Sequence, residues 1–166
     1  GVPCHDDQRL FEMLILEGFQ AGLSWECVLN KREGFREAFD GFDASVIACY
    51  SDEKLEELRR DPRIIRNRLK IKAARTNARV FLAIREEWGS FDAYLWHWTK
   101  GQVIYEWNQT RSPLSDQISS DLKKRGMTFV GTTIIYAYLQ AVGVIFSHED
   151  GCWKCVQDDS GSTAVP

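Results

Sequence analysis

Apolar residues recur along this chain at helical spacing, and polar breakers cut the pattern into many short segments. In LFEMLILEGFQAGLSW (10–25), Leu10, Met13, Leu14, Glu17, Gly18 and Ala21 share one row at i, i+3, i+4 and i+7, the row that faces a core in an amphipathic helix. Asp6 or Asp7 is placed to cap this helix, which the pattern carries to about Ala21. Ala21-Gly22-Leu23-Ser24 reads as a sharp turn, with Ser24 capping a helix that holds Trp25, Val28 and Leu29. Gly34 is expected to interrupt that helix, and Phe35, Phe39 and Phe42 continue an aromatic stripe. Asp43 opens a short helix through Cys49, Ser51 caps another that Pro62 ends, and a long one is predicted from about Asn67 to Glu87. Ser90 restarts a helix with Phe91, Tyr94, Leu95 and Trp98. Residues 99–113 read as a loop with a short extended piece at 103–105, and Ser115 is expected to cap a helix that closes at Lys124-Arg125-Gly126. The segment Thr132 to Ala141 is apolar nearly all round, so it is expected to be buried. These elements predict an all-α fold with no strand pair. They fill a single domain over 1–157, followed by a polar, disordered tail from Asp158.

One residue breaks the first pattern. Glu17 is the only charge on its apolar row, and burying an unpaired carboxylate costs several kcal/mol or forces its pKa up. Either it reaches water at the edge of the stripe or caps a neighbour, or it looks into a pocket and recognises what enters there.

Composition and charge change this picture in three places. Six tryptophans in 166 residues suit a core and also a pocket that stacks on a flat ligand. The net charge of −3 argues against a generally basic nucleic-acid binder. Yet residues 59–79 carry nine basic side chains against one acid, Asp61, and Lys123-Lys124-Arg125 make a second run. Such a patch either neutralises phosphates or is a solvated helix face. No apolar run approaches the roughly 18 residues of a membrane span, and there is no signal-peptide pattern. The five cysteines, an odd number, favour reduced thiols, so an intracellular, cytoplasmic protein without a membrane is expected.

Three groups of residues are suited to chemistry. A helix, Gly126, a short connection, Gly131 and a second helix form a hairpin whose free N–H groups suit phosphate, although most such pairs are only structural. His148-x3-Cys152-x2-Cys155 has donors and spacing that suit zinc. Glu17 and Trp25 stand on adjoining helix ends, where an indole can stack on a flat, electron-poor ring and a carboxylate can bond it or balance its charge.

Together, LFEMLILEGFQAGLSW, KREGFREAFDGFD, IIRNRLKIKAARTNA, LKKRGMTFVGTTIIYAYLQAVG and the closing His148-x3-Cys152 resemble the DNA-3-methyladenine glycosylase I family, in order from Gly1 to about Cys155. The resemblance implies an all-α, multi-helix helix–hairpin–helix glycosylase fold. It implies monofunctional base-excision repair, with the N-glycosidic bond of 3-methyladenine hydrolysed in alkylated double-stranded DNA. By position, Glu17 matches the pocket glutamate that bonds the flipped base, as the catalytic and base-binding residue, and Trp25 matches the pocket tryptophan. Gly22 and Leu23 match the turn that approaches the gap in the duplex. Thr128, Val130, Gly131 and Thr132 match the phosphate-gripping hairpin, beside which the basic run makes Lys124 a DNA-binding candidate, and His148 and Cys152 match two of the family's zinc ligands. A bacterial-type monomer with structural zinc is expected. The family pattern also has a segment before Gly1 that supplies further pocket aromatics and two more zinc ligands. The rival readings are a non-catalytic helix–hairpin–helix DNA-binding module and a small zinc-stabilised interaction domain.

Overall fold

In a computed structural model the described residues are 1–147, with the side chain of Trp25 excepted. They form nine α-helices and one two-stranded ladder. The helices are α1 (Asp7–Gln20), α2 (Trp25–Leu29), α3 (Arg32–Ala38), α4 (Ala44–Ala48), α5 (Asp52–Leu58), α6 (Arg68–Trp88), α7 (Phe91–His97), α8 (Pro113–Lys124) and α9 (Thr132–Ala141). The core is one cluster that runs from Cys4 to Ile145.

α1 lies in the middle of it. Leu10, Phe11, Leu14, Ile15, Leu16 and Phe19 are all buried, so the helix is enclosed by more than the single stripe its sequence predicts. It packs against α6, α7 and α9. Asp6 caps its start, accepting from the Arg9 amide.

Most predicted caps are where the sequence puts them. Ser24, Asp43, Ser51, Asn67 and Ser90 each accept from an amide of the following turn, which satisfies donors a helix start leaves unpaired.

Four expectations are corrected. The break after α2 falls at Asn30–Lys31, and Gly34 lies inside α3. There a Cβ would sit 2.7 Å from the Arg63 carbonyl oxygen, so the glycine permits a close crossing and does not end a helix. Ser112 caps α8, with Pro113 in the first turn; Ser115 is the third residue in and returns the bond to the Ser112 amide. α9 buries only Ile135, Tyr136, Tyr138 and Leu139, because the rest of its surface faces an open hollow and the hairpin. Finally, the piece at 103–105 does find a partner: β1 (Ile104–Tyr105) runs parallel to β2 (Ile145–Phe146), with Ile104 opposite Ile145. No helix among the described residues is long and apolar enough to cross a membrane.

Candidate functional site

Three features meet on α1. Its middle carries Glu17, its next residue touches the hairpin, and its end makes the exposed turn.

Glu17 is 1% exposed, and neither carboxylate oxygen has a hydrogen-bond partner among the described residues. Burial alone pushes its pKa up to about 8, because a low-dielectric setting penalises the charged form. The side chain lines a hollow of about 280 Å³ with Gly1, Ala137, Gln140, Ala141, Ile145 and Ser147. Apart from the carboxyl, the polar lining side chains are Gln140 and Ser147, and the Gln140 amide donates to the Ser147 hydroxyl. The walls come from α9 and β2, whose pairing with β1 fixes Ile145. Glu17 therefore does not reach bulk water, and it stands at the wall of this hollow.

The turn after α1 is held from two sides. Gly22 adopts φ +81, a left-handed conformation that favours glycine. The Leu23 amide donates to the Gln20 carbonyl, and the Gln20 side chain returns a bond to the Leu23 carbonyl, each at 2.7 Å. Lys70, buried on α6, donates to the carbonyls of Phe19 at 2.8 Å and Ala21 at 2.6 Å. This places a cation on the negative end of α1. Its burial holds the Lys70 pKa below the usual lysine range. The result is a fixed turn that presents Leu23, 39% exposed, to solvent. Trp25 opens α2 directly beyond it; its side chain lies outside the described part.

The hairpin joins α8 to α9. Asn77 of α6 clamps it, donating to the Thr128 carbonyl at 2.9 Å and accepting from the Thr128 amide at 3.0 Å. Ser119 donates to the Val130 carbonyl at 2.6 Å, and Ser115 pairs with the Thr132 hydroxyl at 2.8 Å. Phe129, at φ +56, lies against Gly18. Gly131 starts α9 with no side-chain cap, so no capping side chain takes the first amides of this helix, as an anion site requires. Lys123 and Lys124 are exposed beside it, and no ion-pair partner is found for them among the described residues. Val130 belongs to the same hairpin. Its side chain is in the core, so it anchors the hairpin and offers a duplex only its backbone.

Sequence reasoning missed Asn77 and Gln140, and it read Lys70 as part of a phosphate patch. His148 and Cys152 lie outside the described residues, and no group of three or more His, Cys, Asp or Glu gathers among those described. The His5 ring is engaged elsewhere, with Nδ1 on Asp92 at 2.8 Å and its face on Trp96.

The hairpin between α8 and α9, the exposed Leu23 turn and a hollow lined by Glu17 describe a helix–hairpin–helix protein. The comparisons agree. Residues 1–155 match the methyladenine glycosylase family. DNA-3-methyladenine glycosylase 1 of Escherichia coli K12 is 43% identical over 158 residues, 92% of this chain and 84% of that protein. The Haemophilus influenzae DNA-3-methyladenine glycosylase is 37% identical over 92% of this chain and 85% of its own. A crystal structure of 3-methyladenine DNA glycosylase I superposes with a TM-score of 0.88 at 44% identity, covering 92% of this chain and 87% of the other. A Staphylococcus aureus structure that addresses 3-methyladenine recognition gives a TM-score of 0.87 at 31% identity, over 90% and 83%. The chain belongs to the methyladenine glycosylase family.

Proposed function

We propose that the protein is a monofunctional DNA glycosylase that removes 3-methyladenine from alkylated double-stranded DNA. The observation that carries this is Glu17, a buried carboxyl with no partner among the described residues, facing a hollow between α1 and α9. Its relatives share the activity by name.

The chemistry follows from the geometry. A glycosidic bond inside a base stack is out of reach, so the nucleotide must turn out of the duplex at a cost of a few kcal/mol. Leu23, held rigid, fills the gap, while the first amides of α9 and Lys124 hold the phosphates. The flipped base enters the hollow. 3-Methyladenine within the nucleotide is a cation, and its bond to C1′ is already weak. With the site empty, Glu17 is mostly protonated near pH 7. A bound cation favours the carboxylate, so the proton leaves as the base binds. The carboxylate then accepts from the base's donor edge, and it discriminates against neutral adenine, which offers no charge to offset its desolvation. When the C1′–N9 bond breaks, its electron pair moves onto the purine and cancels the positive charge. Water bonds to C1′ and gives its proton to solvent. The products are free 3-methyladenine and an abasic sugar.

His148 and Cys152 have donor chemistry that fits zinc, and we assign them to a structural site near the end of the chain. A bound ion there contributes folding energy, and no step of base release passes through it.

The test is release of 3-methyladenine from methylated duplex, with Glu17→Gln alongside. The expected loss in single-turnover release is roughly 10- to 100-fold, the scale of a hydrogen bond to a charged group. Release at an unchanged rate by the variant, or none by the wild type, overturns the reading.

A further inference from the structure

The basic run of residues 59–79 is not explained by the site above, and the structure divides it in two. Arg59 pairs with Glu56, and Arg63 with Asp61 and Glu37. Lys70 holds the end of α1, Arg75 bonds the Tyr50 carbonyl and Asp52, and Arg79 bonds the Ala48 carbonyl. These five are spent on the fold. Arg60, Arg66, Arg68 and Lys72 are exposed and have no ion-pair partner among the described residues.

Two of them are placed at an energetic loss. Arg68 and Lys72 stand at i and i+4 in the first turns of α6, where no acid is present. Like charges at that spacing repel, and cations at a helix start oppose its dipole. Nothing within the described fold repays either cost. Both line a groove of about 390 Å³ between α5 and α6. Its acids, Asp52 and Glu56, are already taken by Arg75 and Arg59, so the uncompensated charge of the groove is positive. Lys70, between the two in sequence, ties this end of α6 to Ala21 at 2.6 Å, beside the Gly22–Leu23 turn.

We propose that Arg68 and Lys72, with Arg66 next to them, form a second phosphate-binding ridge that holds duplex DNA flanking the lesion, separate from the hairpin. The inference rests on the reading of the chain as a DNA-acting glycosylase. The ridge adds phosphate contacts beyond those of the hairpin and so lengthens the footprint on the duplex.

The measurement is the salt dependence of affinity for a methylated duplex that extends a full helical turn on each side of the lesion. In Arg68→Gln/Lys72→Gln the log–log slope becomes shallower by about 1.8, at roughly 0.9 per phosphate contact. Arg85→Gln, a cation at the far end of α6 paired with Asp7, leaves the slope unchanged. Unfolding curves of the double variant report an intact fold. A wild-type slope in the double variant overturns the ridge while leaving the glycosylase reading intact. So does an equal drop in Arg85→Gln, since that reports net charge alone. A wild type that neither binds the duplex nor releases base overturns both.

Discussion

Glu12 and Glu17 lie on the same helix, and both are buried, at 8% and 1% exposure. Glu12 accepts from Arg32 at 2.8 Å and from Arg36 at 3.0 Å, so its charge is matched and pins α3 to α1. Glu17 meets a hollow and, among the described residues, no donor. A fold under pressure only for stability pairs or removes such a group. The contrast separates a carboxylate that serves packing from one whose partner arrives from outside. It also predicts that neutralising the two has opposite effects on stability.

The largest effect belongs to Glu17. The folded state keeps its proton up to about pH 8, while an unfolded carboxyl loses it near 4.5. Between those values the folded protein binds more protons, so stability falls as pH rises through the window. The fall is on the order of 4 kcal/mol. Glu17→Gln removes it. Denaturant unfolding is therefore expected to show little difference near pH 4.5 and a clearly more stable variant at pH 9. Parallel pH profiles for the two proteins would show that Glu17 has a partner after all, and the contrast with Glu12 would fail.

Glu12→Ala should go the other way. It leaves Arg32 without its carboxylate and Arg36 with Glu33 alone at a partly buried site, at a cost of about 2 kcal/mol, below the full value for a buried pair because both arginines reach solvent. A neutral result would mean that the arginine pair is surface decoration and that α3 is held by its phenylalanines alone.

How much of this was legible beforehand depended on range. Caps are local: a Ser, Asp or Asn before an apolar run, so Ser24, Asp43, Ser51, Asn67 and Ser90 could be read directly. Glu17 was legible because its row is otherwise uncharged. Asn77 and Lys70 were not, since their partners lie 51 and 49 residues away and nothing in their own turns marks them. Composition made Lys70 look like a phosphate ligand, when its ammonium closes α1. Gln140 was hidden for a similar reason: a polar residue in an apolar helix has meaning only once the opposite wall of the hollow is known.

Lys70→Met probes that hidden layer. It keeps the apolar stem and strips two carbonyls of their donor. The expected destabilisation is about 2 kcal/mol, with faster amide exchange at Leu23, because the turn is then held by the Gln20 bonds alone. Exchange at Leu23 equal to wild type would show that the wedge is rigid without the buried cation.

The smallest effect separates a helix cap from the hairpin. Ser112 caps α8 and sits in the sequence far from the amides of α9; Ser115 shares the capping box but also reaches the Thr132 hydroxyl. Ser112→Ala should cost about 1 kcal/mol, the ordinary value for a lost cap, and leave duplex affinity alone. Ser115→Ala removes the reciprocal bond and frees Thr132 at the start of α9, so it should cost a similar amount and also weaken duplex binding. A Ser115→Ala/Thr132→Val cycle isolates the cross-hairpin bond. Coupling near zero would mean that Ser115 acts only as the third residue of the box, and that the hairpin is set by Asn77 and Ser119 alone.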